Sequence, residues 1–128
     1  MRSFEYVWHD IIRIARMLDS ISTLGLGIKV KIVDVKDDRI IVYSEKTKKT
    51  RVLSKKRFKP FWEALLKRGF LHYKKDLHQS DWAGTGAIII AFLARLPYIE
   101  YSVSPCILYL KREYTHKIGT LKRKETES

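Results

Sequence analysis

Between residues 46 and 75 the chain places twelve basic side chains and a single acid, Glu63, a net of +11. Like charges this close repel one another. Any fold must therefore spread them over a surface, and they lower its stability unless a polyanion offsets them. The flanks are nearly neutral, with seven bases and seven acids in residues 1–45 and seven bases and six acids in residues 76–128. The net charge of +12 thus comes from one segment. Its densest part is Lys46, Lys48, Lys49, Arg51, Lys55, Lys56, Arg57 and Lys59. Nucleic-acid phosphate is the commonest intracellular polyanion, and binding it releases counterions. These eight residues form the candidate nucleic-acid-binding set; a solvated lysine-rich face is the plainer reading of the same run.

A chain of 128 residues with 45% hydrophobic and 12% aromatic content points to one folded domain rather than a basic disordered tail. A lone cysteine, Cys106, excludes an intramolecular disulfide. Arg13, Arg16 and Asp19 interrupt the N-terminal apolar residues, so no secretory leader is read there. The longest apolar stretch, Trp82 to Ala94, is broken by Gly84, Thr85 and Gly86 and is too short to cross a bilayer. The expectation is a soluble, cytoplasmic protein with no membrane partner. Abundant Ile and Lys with few Gln and Asn suit a thermophile.

Periodicity gives the elements. Phe4, Val7, Trp8, Ile11, Ile12, Ala15 and Leu18 share a helical face, with Ser3 as N-cap. Ile28 to Val33, Arg39 to Ser44 and Lys49 to Leu53 read as three antiparallel strands, joined by turns at Asp37-Asp38 and Glu45 to Lys48. Phe58, Phe61, Trp62, Leu65 and Leu66 mark a second helix, capped by Ser54 but regular only from about Pro60, and stopped by Gly69. A third helix is expected from Ser80 or Asp81 to Arg95, ended by Pro97. Two strands, Tyr98 to Val103 and Cys106 to Lys111, then surround Ser104-Pro105. The order α-βββ-α-α-ββ describes an α+β domain over residues 1–114, followed by a flexible charged tail at 115–128.

On the third strand Lys49 and Arg51 share a face, and Lys46 and Lys48 extend it along the hairpin. Lys55, Lys56, Arg57 and Lys59 follow at a helix N-terminus, where backbone N–H groups also attract phosphate. Lys67, Arg68, Lys74 and Lys75 either extend this stripe or lie elsewhere. The chain has no Asn and one Gln, Gln79, and the block is mostly lysine, which favours backbone contact over base reading. Tyr43 and Tyr73 flank basic runs and could stack on bases, although tyrosines also pack readily at a core's rim.

Other chemistry has thinner support. Asp34-Val35-Lys36 is half of a metal-dependent nuclease constellation but lacks a second strand-borne carboxylate. His9, His72, His78 and His116 show no metal-ligand spacing, and Cys106 reads as a small buried hydrophobe. No cofactor is expected: Gly84-Thr85-Gly86 lacks the third glycine of a dinucleotide loop and reads as a site of close helix packing. The Ile88-Ile89-Ile90 run with Phe92 and Leu93 belongs to a central helix, or to a homodimer interface if the domain leaves it uncovered.

Residues Lys29 to Glu100 carry a short meander and then Arg51-Val52-Leu53-Ser54-Lys55-Lys56-Arg57-Phe58, leading into Phe61-Trp62-Glu63-Ala64-Leu65. Gly69-Phe70-Leu71, Asp76-Leu77 and Ala91-Phe92-Leu93-Ala94-Arg95-Leu96-Pro97-Tyr98-Ile99-Glu100 complete the series. This order resembles small accessory modules found beside nuclease domains in prokaryotic restriction-type proteins. The resemblance implies association with DNA, preferred over RNA, and supplies no residues for chemistry. The expected function is a non-enzymatic nucleic-acid-binding accessory protein. The alternatives are an adaptor or homodimeric module recognising an acidic partner, and a metal-dependent nuclease.

Overall fold

Ser3 and the apolar spacing after it set the first element. In the computed structural model, which describes residues 2–124, the Tyr6 amide donates to the Ser3 hydroxyl at 3.2 Å and α1 runs Phe4–Met17. Its buried face carries Val7, Trp8, Ile11, Ile12 and Ala15, as the spacing requires, together with Ile14.

Four strands follow: β1 (Ser20–Ser22), β2 (Lys29–Lys36), β3 (Arg39–Ser44) and β4 (Lys49–Ser54). They form one antiparallel sheet in chain order. The expected three-stranded meander therefore gains β1, a strand too short to show alternation. Ile21, paired with Val30, is its one core side chain. The register shifts between Ile32 and Asp34, leaving Val33 60% exposed on the outer face.

Helix α2 (Lys55–Arg68) continues from β4 without a linker. It was expected to become regular near Pro60, yet Pro60 lies inside it. Phe58 is fully buried on the same face as Phe61, Trp62 and Leu65, so burial draws the first turn into the helix. The proline's missing N–H deprives only the carbonyl of exposed Lys56.

The single helix expected from Ser80 to Arg95 is two, α4 (Gln79–Trp82) and α5 (Gly86–Ala94), preceded by β5 (Phe70–Leu71) and α3 (Tyr73–Asp76). Gly84, at φ +80°, makes the break with a left-handed turn that L side chains rarely adopt. The cap of α4 is His78, whose Nδ1 accepts from the Ser80 amide, rather than Ser80 or Asp81.

Strands β6 (Ile99–Ser102) and β7 (Ile107–Leu110) pair around Ser104-Pro105, and β5 joins β7 to give a second sheet in the order β5-β7-β6. α5 contacts α1, β1 and β6 and so lies between the two sheets. Ile89, Ala91, Phe92, Leu93 and Ala94 are fully buried within this one chain, so α5 offers no dimer face. Phe58 ties the layers together, edge-on to Trp8 at 5.3 Å and to Phe92 at 6.1 Å. The class is α+β, as expected.

Backbone hydrogen bonds tie the expected flexible tail to the domain as far as Lys124. Thr115 donates to Pro97, Gly119 to Arg95 and Lys124 to Tyr101 through their backbones at 2.7–3.0 Å. Apolar Ile118 against the core helps hold this segment. Residues 125–128 of that expected tail lie outside the described residues. Among the described residues no helix is long and apolar enough to cross a membrane.

Candidate nucleic-acid interface

The register of β4 decides where its charges go. Leu53 pairs with Ile40, Arg51 with Val42 and Lys49 with Ser44. Ile40, Val42 and Leu53 are buried, so Lys49 and Arg51 lie on the core side of the sheet, where the core itself runs out. Thr50 and Val52 take the outer face, and Val52 is 50% exposed there. Lys46 and Lys48 sit in the exposed turn that joins β3 to β4.

Two arginines close the space that the core leaves open. Arg57, in the first turn of α2, donates from Nη2 to Thr85 Oγ1 at 2.7 Å and from Nε to the same oxygen at 3.2 Å. Its Nη2 also lies 3.4 Å from the Ala83 carbonyl oxygen. Arg51 reaches the same turn from β4: a methyl group on Gly84 would sit 3.6 Å from its Nη1. Both guanidinium groups therefore rest on the three-residue turn Ala83-Gly84-Thr85. Among the described residues neither pairs with a carboxylate.

The start of α2 has no side-chain cap. Ser54 holds the N-cap position, but its hydroxyl caps nothing, contrary to the sequence expectation. The Lys55 amide donates to the Asp38 carbonyl at 2.8 Å instead. The first turn carries Lys55, Lys56 and Arg57 and no acid, the reverse of what the helix dipole favours. Lys56 and Lys59 are exposed. Lys55 is half-buried and pairs with Glu5 of α1. That hydrogen bond holds the Glu5 carboxyl below its ordinary range, and Lys59 adds to the effect.

The eight residues thus form two groups joined by β4. Lys46, Lys48 and Lys49 stand at the hairpin, while Arg51, Lys55, Lys56, Arg57 and Lys59 surround the helix start. At about 3.3 Å per strand residue β4 spans about 17 Å from Lys49 to the helix start, with Arg51 between, roughly the axial rise of five phosphates along one strand of a duplex. Lys67 and Arg68 do not extend this track. They end α2, about 17 Å from Lys56 along its axis, and Arg68 is bound to Asp76 at 2.6 Å.

Tyr73 packs against Phe61 and Trp82 in the core, and burial raises the pKa of its hydroxyl. Tyr43 is half-exposed on the outer sheet face opposite Thr50. Thr85, Ala83 and Gly84, which seat both arginines, are absent from the sequence-derived site. Arg57 and Thr85 stand 28 residues apart with no pattern linking them.

Asp34 and Lys36 pair with each other at 3.6 Å on the same sheet, both about half-exposed. Among the described residues no three His, Cys, Asp or Glu side chains gather where they could hold a metal ion. Cys106 lies in the turn before β7, half-buried rather than fully buried, and burial raises its thiol pKa. No protein-family model matches the chain, and neither a curated protein nor a solved structure is significantly similar to it.

Proposed function

We propose that this chain is a non-enzymatic accessory protein that binds the phosphate backbone of nucleic acid. Lys46, Lys48 and Lys49 hold one end of the phosphate track, and Arg51, Lys55, Lys56, Arg57 and Lys59 hold the other. The observation that carries this reading is the first turn of α2, which has no side-chain cap and no acid of its own, with the Arg51 and Arg57 guanidinium groups, without a carboxylate partner among the described residues, seated beside it. An arrangement that works against the helix dipole and its own self-repulsion is relieved by an anion. Duplex DNA is the proposed ligand, on the resemblance of Lys29 to Glu100 to accessory modules of restriction-type proteins. The contacts are to phosphate, so sequence preference is weak.

The test is competition. A labelled duplex is bound and then challenged with an unrelated duplex or with polyglutamate. Displacement by the duplex at far lower charge concentration supports the reading. Equal displacement by polyglutamate favours a module for acidic proteins. One observation favours that second reading: exposed Val33 and Val52 lie on the outer sheet face, an apolar surface beside the basic strand.

A further inference from the structure

A cleft of about 850 Å³ opens between the start of α1, the second half of α2 and the end of β7. One part of its wall is cationic, formed by Arg2, Lys111 and Arg112, and another is apolar, formed by Trp62, Leu66 and Leu110. Among the described residues no carboxylate lines it. Among the described residues the one ion pair these cations make joins Lys111 Nζ to Glu100 Oε1 at 4.0 Å. Arg2 has no acid partner among the described residues, and its guanidinium carbon lies over the Tyr98 ring, 3.9 Å from the centroid. Arg112 is exposed.

Trp62 lines the cleft from beneath. It is 1% exposed, and its indole N–H has no acceptor among the described residues, as is also true of Trp82 Nε1 and His72 Nδ1 away from the cleft. Ser3, the cap of α1, lies in the same wall and adds the positive end of a 14-residue helix.

We propose that this cleft binds a small aromatic anion, a planar ring carrying a phosphate or carboxylate head. The ring covers Leu66 and Leu110, over the edge of Trp62. The head meets Arg2 and Arg112 beside the start of α1. The volume falls within the range of small-molecule sites, and an apolar wall with a few polar groups is their usual composition. This site is separate from the phosphate track and does not depend on it.

The experiment titrates phenyl phosphate into ¹⁵N-labelled protein and follows the indole resonances by NMR. The Trp62 signal is identified by its loss in Trp62→Phe. The expected result is a saturable shift of that signal, with about tenfold weaker binding in Arg2→Glu/Arg112→Glu, as loss of charged hydrogen bonds implies. Benzyl alcohol, which has the ring without the charge, should bind far more weakly. Absence of a saturable shift, or equal affinity in the double variant, would overturn the proposal. So would equal binding of benzyl alcohol. Should the double variant lose its dispersed spectrum, Arg112→Gln alone is the test, with the same expected direction.

Discussion

The Arg57 guanidinium donates through both Nε and Nη2 to the hydroxyl of Thr85, joining the first turn of α2 to the cap position of α5. This contact fixes a cation that would otherwise sample many rotamers, and it does so without neutralising the charge. A fixed, unneutralised guanidinium costs less to order around a phosphate than a free lysine does.

Thr85→Val keeps the shape and removes the acceptor. A hydrogen bond to a charged group contributes about 1.5–3 kcal/mol when fully buried. Arg57 is half-exposed and can return to water, so the stability loss should be near 1 kcal/mol. Duplex affinity should fall several-fold, read by fluorescence anisotropy beside a urea melt.

Glu5→Gln should strengthen nucleic-acid binding, because it removes the acid that occupies Lys55. With Lys55 released, the log–log salt slope should steepen by about one. The pair also has a definite pH signature. The Glu5 pKa is lowered from an ordinary 4.5 in the folded chain, chiefly by the Lys55 hydrogen bond. Its stabilising contribution is therefore fully present above pH 4.5 and is lost as pH falls through the lower folded value. Acid titration of stability in wild type and Glu5→Gln should therefore diverge as pH rises through that window and stay apart above pH 4.5.

Gly86→Ala tests the close packing at the start of α5. A Cβ there would meet Tyr73 Cε2 at 2.7 Å and Trp82 Cβ at 2.8 Å. The second contact is close to backbone and cannot swing away, so overpacking should cost about 1–3 kcal/mol by urea denaturation.

Phe58→Ala removes the ring shared by α1, α2 and α5. Fully buried aromatic deletions cost about 3–5 kcal/mol. A domain of this size should then show a sharply lower unfolding midpoint in a thermal melt.

The elements with strong periodicity were legible in the sequence. Val7, Trp8, Ile11 and Ile12 define α1, and Ile40 and Val42 define β3, because buried positions recur at a fixed spacing. β1 was not legible, since one buried residue, Ile21, has no period. The helix break at Gly84 was hidden because a glycine inside a helical run also reads as a site of close packing. The basic block itself was plain from charge. Its placement on the core side of the sheet was not, because that depends on Leu53 pairing with Ile40, a long-range register. The uncapped Ser54 and the seat of Arg57 on Thr85 are likewise tertiary features. A serine before a helix reads as a cap whether or not its hydroxyl turns inward.

Binding of a short labelled duplex, followed by fluorescence anisotropy at several salt concentrations, bears most closely on the phosphate track. The expected result is an affinity that falls steeply with salt, with a log–log slope of about −3.6 or steeper, corresponding to roughly four phosphates. In Lys46→Glu/Lys48→Glu/Lys49→Glu, whose side chains are exposed, the slope should flatten and affinity drop while the fold persists. No binding at low salt, or binding that these reversals leave unchanged, would contradict the phosphate-track reading.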